Sequence, residues 1–121
     1  MHVKRWLGNL LRARKLRKQQ STEALRAVVK AVRKTTIYDR HLRNGRKRLR
    51  RVESELELLW TELSFAAEDI GLDTLAKRCN ITGRYWADPA QFYDKYFRQA
   101  SVRLEDIERL AKLSLEELKR A

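Results

Sequence analysis

The side chains most able to do chemistry in this chain are its arginines and lysines. They fall in two dense runs. One spans Lys4 to Lys18 and includes Arg12, Arg14, Lys15, Arg17 and Lys18. The other spans Arg40 to Arg51 and includes Arg43, Arg46, Lys47, Arg48, Arg50 and Arg51. Few acids lie within one helical turn to pair with them. Guanidinium groups present a planar fork that matches phosphate oxygens, and arginine outnumbers lysine in the second run. These eleven residues are the candidate contacts for a nucleic-acid backbone, DNA or RNA. Such binding should weaken steeply with salt, because each neutralised phosphate releases counterions.

The charge is distributed unevenly. Residues 1–52 hold eighteen Lys/Arg against two acids, Glu23 and Asp39, whereas residues 53–121 hold ten against fourteen. A positive block of that density repels itself unless a polyanion or an acidic surface neutralises it. Residues 21–52 therefore read as the basic part of a helical domain and 53–121 as its mildly acidic part. Residues 1–20 read as a separate basic amphipathic helix or arm.

Other chemistry is sparse. His2, His41 and Cys79 are too far apart in sequence to form a metal-ligand set. Acid pairs such as Glu68-Asp69 and Glu105-Asp106 read as solvated helix surface. There is no phosphate-cradling loop and no nucleophile elbow. The expectation is a non-enzymatic protein with no metal or cofactor. One cysteine cannot form an internal disulfide, which suits a reducing, cytoplasmic setting. No apolar run reaches the roughly 18 residues of a membrane span. The acid-free, Arg-rich N-terminus shares features with a mitochondrial presequence, but serine is scarce there and the basic character continues to Arg51.

These side chains must be positioned by helices. The chain has one proline and four glycines in 121 residues, with 36% charged and 43% apolar residues. That composition predicts an all-α, coiled-coil-like helical bundle of four main helices and a short fifth. Val3, Trp6, Leu7, Leu10 and Leu11 recur at helical spacing, giving a basic amphipathic N-terminal helix with membrane-surface potential. Gln19-Gln20-Ser21-Thr22 predicts an interruption, with Ser21 or Thr22 capping the next helix. Leu25, Val28, Val29 and Val32 form that helix's apolar face. Asn44-Gly45 predicts its end.

From Arg46 to Ile70 the pattern is the most regular of the chain. Leu49, Val52, Leu56, Leu59, Leu63, Ala66 and Ile70 alternate steps of three and four. Trp60 and Phe65 flank this stripe, and Gly71 ends it. The stripe suits a bundle core. It also suits a partner or homo-oligomer interface through Leu49, Val52, Leu56, Leu59 and Leu63, with Trp60 as its exposed aromatic. The last helix carries Phe92, Tyr96, Phe97, Ala100, Leu104, Ile107, Ala111 and Leu118 on or near one face, and antiparallel packing of these two stripe-bearing helices is expected.

Residues 72–87 loosely follow the spacing of a helix-turn-helix, with a turn at Asn80-Ile81-Thr82-Gly83. Pro89 would cut the recognition helix short, and the local charge is near neutral, so a corner plugged by Tyr85 and Trp86 is the better fit. Asp88-Pro89-Ala90-Gln91 predicts the start of the last helix. Ser114-Leu115-Glu116-Glu117 offers a possible restart.

The functional expectation is an accessory subunit that grips nucleic acid by its phosphates within a larger nucleoprotein or oligomeric assembly. The competing expectations are a helical adaptor whose basic face meets an acidic protein, and a membrane-surface helix.

Overall fold

The architecture comes from a computed structural model. It describes residues 2–92 and 95–120, with side-chain surroundings for residues 8, 9, 12, 14–90 and 104–120. Among these residues there are four α-helices and no strand: α1 (His2–Arg43), α2 (Arg50–Asp69), α3 (Asp73–Ala87) and α4 (Lys95–Arg120). A 3-10 turn, Pro89–Phe92, follows α3. The expected all-α bundle is therefore observed.

Each helix packs on its chain neighbour, and α4 returns to α1. The pairings run antiparallel. In α1 and α2, Tyr38 meets Glu53, while Thr35 meets Trp60 farther along. Ser21 and Leu25 lie near Ser114 and Leu118 of α4, and Val32 to Arg40 near Leu104 and Glu105. The topology is up-down-up-down. The two stripe-bearing helices, α2 and α4, sit on a diagonal and do not pair with each other among the described residues.

Two of the expected helix ends form by local geometry. Gly45 and Gly71 both adopt positive φ, 76° and 79°. The Gly45 and Arg46 N–H groups bond the Leu42 and His41 carbonyls at 3.0 and 3.3 Å. Gly71 and Leu72 repeat the pattern on Glu68 and Ala67 at 2.9 Å each. Both are Schellman closures, which need a residue that tolerates the left-handed region.

Three expected boundaries are absent and a fourth takes another form. The helix runs through Gln19–Thr22, so α1 is one rod of 42 residues. Thr22 Oγ1 donates back to the Lys18 carbonyl at 2.9 Å rather than capping a new helix. Thr35 and Thr36 do the same to Ala31 and Val32, at 2.7 and 2.8 Å. Hydroxyls satisfied in this way can sit inside a helix. The expected turn at Asn80–Gly83 is the interior of α3, which excludes the helix-turn-helix. Residues 89–92 form a 3-10 turn, with α4 beginning at Lys95. The helix also continues through Ser114.

Gly83 is helical because α2 passes close by. A Cβ there would lie 3.1 Å from Thr61 Oγ1 and 3.3 Å from both the Glu57 carbonyl oxygen and the Thr61 amide nitrogen. Two of these three are backbone atoms and cannot rotate away. A Gly83→Leu variant is expected to force α2 and α3 apart, costing about 1–3 kcal/mol. Urea unfolding would test this, and wild-type stability in the variant would refute the close approach.

The core joins Leu25, Val28, Val32 and Tyr38 of α1 to Leu56, Trp60 and Leu63 of α2. Leu75, Cys79, Tyr85 and Trp86 of α3 and Leu104, Ile107 and Ala111 of α4 complete it. On α2 the buried positions are Glu53, Leu56, Trp60, Leu63, Ser64 and Ala67. The seam is thus rotated from the expected stripe, because α2 packs against both α1 and α3 and buries a wider arc than two-stranded packing would. Trp60, expected to be exposed, has 0% exposure. It therefore cannot serve as an interface aromatic. Leu56 and Leu63 are also core residues, while Val52 and Leu59 are half-buried and Leu49 is exposed.

Candidate nucleic-acid interface

All described residues from Arg12 to Gln20 are exposed, and the first buried one among the described residues of α1 is Leu25. The N-terminal part of α1 therefore extends past the bundle as a continuation of the same rod. Arg12, Arg14, Lys15, Arg17 and Lys18 lie on this extension, open to solvent on all its faces. The apolar residues that suggested membrane-surface contact, Val3, Trp6, Leu7, Leu10 and Leu11, lie outside the described side chains. So do Phe92, Tyr96, Phe97 and Ala100 of the last helix.

The second cluster sits at the far end of α1. Arg43, at the helix C-terminus, is tied to Asp39 at 3.0 Å. Arg48 donates to Glu53 Oε1 at 3.1 Å. Arg51 and Glu55 form an exposed pair at 3.4 Å, of a kind worth little in water. Arg46, Lys47 and Arg50 are exposed and have no ion-pair partner among the described residues. The six cations of this run therefore divide. Arg43 is paired within α1 and Arg48 ties the turn to α2, while Arg46, Lys47, Arg50 and the loosely paired Arg51 face solvent.

The turn is fastened by a buried polar cluster. The Tyr38 hydroxyl accepts the Leu49 N–H at 2.8 Å and donates to Glu53 Oε2 at 2.5 Å. Burial and the Glu53 hydrogen bond push the Tyr38 pKa up. Burial works against the charge on Arg48, but the hydrogen bond and charge of Glu53, together with Tyr85 and Tyr38, raise its pKa on balance. Tyr85 is also pushed up by burial, with the nearby Arg48 guanidinium acting in the opposite sense. His41 stacks on Tyr38 at 5.6 Å, and its Nε2 lies 3.1 Å from the Lys47 carbonyl oxygen. Leu49 N-caps α2 in extended geometry without a side-chain cap, which explains why α2 begins at Arg50 and not at Arg46.

Asp39 has the opposite energetic character. Burial raises its pKa, and the Arg43 pair only partly counters that. A raised carboxyl pKa means the ionised form is disfavoured in the fold. This cost is fully present above the folded pKa, and it is relieved as pH falls from there towards the ordinary aspartate value. Asp39→Asn is therefore expected to be more stable than wild type at pH 7, with the difference vanishing in acid. Parallel urea titrations across pH check this. A less stable variant at pH 7 would mean that the Arg43 pair dominates.

Between the two clusters lies a feature that motif-based reasoning missed. Arg26, Lys30, Arg33 and Lys34, with Arg40 at the start of the second cluster, are all exposed. Their spacing places them on the face of α1 turned away from the core, in line with Arg12 and Lys15. Arg33 reaches Glu108 at 3.5 Å, while Arg26, Lys30, Lys34 and Arg40 have no ion-pair partner among the described residues. Glu23 is the only acid on this face, since Asp39, the other acid of α1, is buried. From Arg12 to Arg40 the ridge runs about 42 Å. The spacing of these cations by threes and fours was the available signal. It was obscured because they are interleaved with the apolar core face and form no run.

The remaining reactive groups do not join this surface. Cys79 has 0% exposure, and burial pushes its thiol up to about 12, so thiolate chemistry is suppressed. Among the described residues, no three His, Cys, Asp or Glu side chains form a group that could hold a metal ion. No described helix is long and apolar enough to cross a membrane. Comparison of the chain with known protein families, with curated proteins and with solved structures gives no match.

Proposed function

We propose that this protein is a non-enzymatic accessory subunit that grips the phosphate backbone of nucleic acid through α1 and the α1–α2 turn. The supporting observation is the cationic ridge. Arg12, Lys15, Arg26, Lys30, Lys34 and Arg40 share one face with a single acid, and Arg46, Lys47 and Arg50 extend it around the turn. Phosphate contacts of this kind supply affinity and position without reading bases. The test is fluorescence anisotropy with labelled DNA and RNA at about 50 and about 300 mM salt. With about five phosphate contacts, affinity falls by about three orders of magnitude over that range. Absence of binding at the lower salt sinks the proposal.

A second observation supports a place in a larger assembly. Leu58 and Phe65 are 64% and 60% exposed on the outer side of α2, among Glu55, Glu62 and Asp69. Basic and acidic halves thus present different chemistry on different helices. The adaptor reading places a protein partner or a second copy on this acidic, partly apolar face. An apolar contact of that kind would survive high salt, unlike the phosphate grip. The membrane-surface reading rests on Trp6 and Leu10 and predicts binding to anionic liposomes that is lost when both become polar.

A further inference from the structure

We infer that the partner is a double-stranded nucleic acid, with α1 lying along it and its two end clusters on phosphates one helical turn apart. This rests on the phosphate-gripping reading and adds the partner's form. The first observation is rigidity. Because α1 is unbroken from His2 to Arg43, the separation of its two cation clusters is fixed. Lys15 and Arg40 are about 37 Å apart along the helix axis, at about 1.5 Å per residue. One turn of duplex DNA spans about 34–36 Å. A rod of this length can therefore touch the same face of a duplex twice.

The second observation is the ridge between the clusters. Arg26, Lys30 and Lys34 follow one another about every 6 Å, four residues apart on one face. They can meet the backbone that crosses between the two end contacts. The third is the surface type. Proteins that hold single strands combine a groove with aromatic platforms for the bases. The described part of this ridge is a convex helix face. Its exposed large apolar residues are Leu16 and Ile37, both aliphatic. It offers charge at fixed spacing and no stacking platform, which suits a stiff, regularly charged partner.

The experiment uses the full chain and labelled duplexes of about 8, 12, 16 and 24 base pairs, so that the set brackets one turn of about 10. Single strands of matching sequence and an RNA duplex of the longest size complete it. Affinity is expected to rise at least tenfold between the shortest duplex and the one of about 16 pairs, then to level off. Single strands bind at least tenfold more weakly than the long duplex. In an Arg12→Gln/Lys15→Gln variant the length step disappears. The RNA arm decides which duplex is the better partner. Equal binding to single strands, or affinity that rises smoothly with length without a step, overturns the inference while leaving the phosphate-gripping reading intact. Failure to bind any nucleic acid removes both.

Discussion

Replacing Arg26, Lys30, Lys34 and Arg40 together with glutamine is expected to weaken nucleic-acid binding by about three orders of magnitude at 0.1 M salt. Each phosphate contact contributes about 0.9 to the slope of log affinity against log salt, so losing four lowers that slope by about 3 to 4. The four side chains are exposed and make no ion pair among the described residues, so their loss leaves the core untouched. Glutamine keeps most of the helix propensity. A matched control removes the same charge elsewhere, from Lys77, Arg84, Arg109 and Lys119, which are exposed on α3 and α4. If net charge alone attracted the polyanion, both variants would weaken alike. If the ridge is the contact surface, the control stays within about threefold of wild type while the salt slope of the ridge variant falls by about 3 to 4. Anisotropy titrations at several salt concentrations read both quantities. Unaltered binding by the ridge variant would remove α1 from the interface.

Truncating Trp60 should give the largest loss of stability. Its side chain has 0% exposure, and its indole Nε1 donates to Thr35 Oγ1 at 2.9 Å. Thr35 is likewise fully buried and donates onward to the Ala31 carbonyl at 2.7 Å. Trp60→Ala removes a large apolar body from between α1 and α3 and opens a cavity, at a cost of about 3–5 kcal/mol. For a domain of this size the melting temperature falls by about 10–20 °C. Trp60→Phe keeps most of the volume and cuts only the hydrogen bond, costing about 1–2 kcal/mol. Phe65→Ser, at a site 60% exposed, is expected to change stability by less than about 0.5 kcal/mol. Thermal unfolding followed by helical circular dichroism ranks the three. A Trp60→Ala variant as stable as Phe65→Ser would return Trp60 to the surface.

The contrast between Trp60 and Phe65 shows where sequence reasoning reaches its limit. Both flank the heptad-like stripe, and both are large aromatics. The stripe pointed to one buried seam, but α2 is covered by α1 on one side and α3 on the other. Its buried arc therefore takes in Glu53, Trp60, Ser64 and Ala67, while Leu49 is left exposed. A single-sequence pattern contains no information about which neighbours arrive, or from which side.

The helix ends divide in the same way. Asn44-Gly45 and Gly71 were legible because a positive φ is a local steric requirement that glycine meets without strain. Gln19–Thr22 and Asn80–Gly83 were misread because hydroxyl-rich segments and a glycine only mildly disfavour helix. In α1 the hydroxyls found acceptors one turn back. In α3 the glycine made room for the α2 backbone. Weak local preferences of about 1 kcal/mol yield to packing.

By itself, the sequence determined an all-α chain whose net positive charge lies in its first 52 residues, because composition and net charge do not depend on how helices meet. Only the structure decided that most of the basic half, His2–Arg43, is one continuous rod with a cation ridge joining its two clusters. It also tied Arg43 and Arg48 into the fold, because burial of Asp39 and Glu53 beside them requires a compensating charge. Whether a cation is left free for a partner depends on which acids the fold brings beside it, and that is a property of the packed chain.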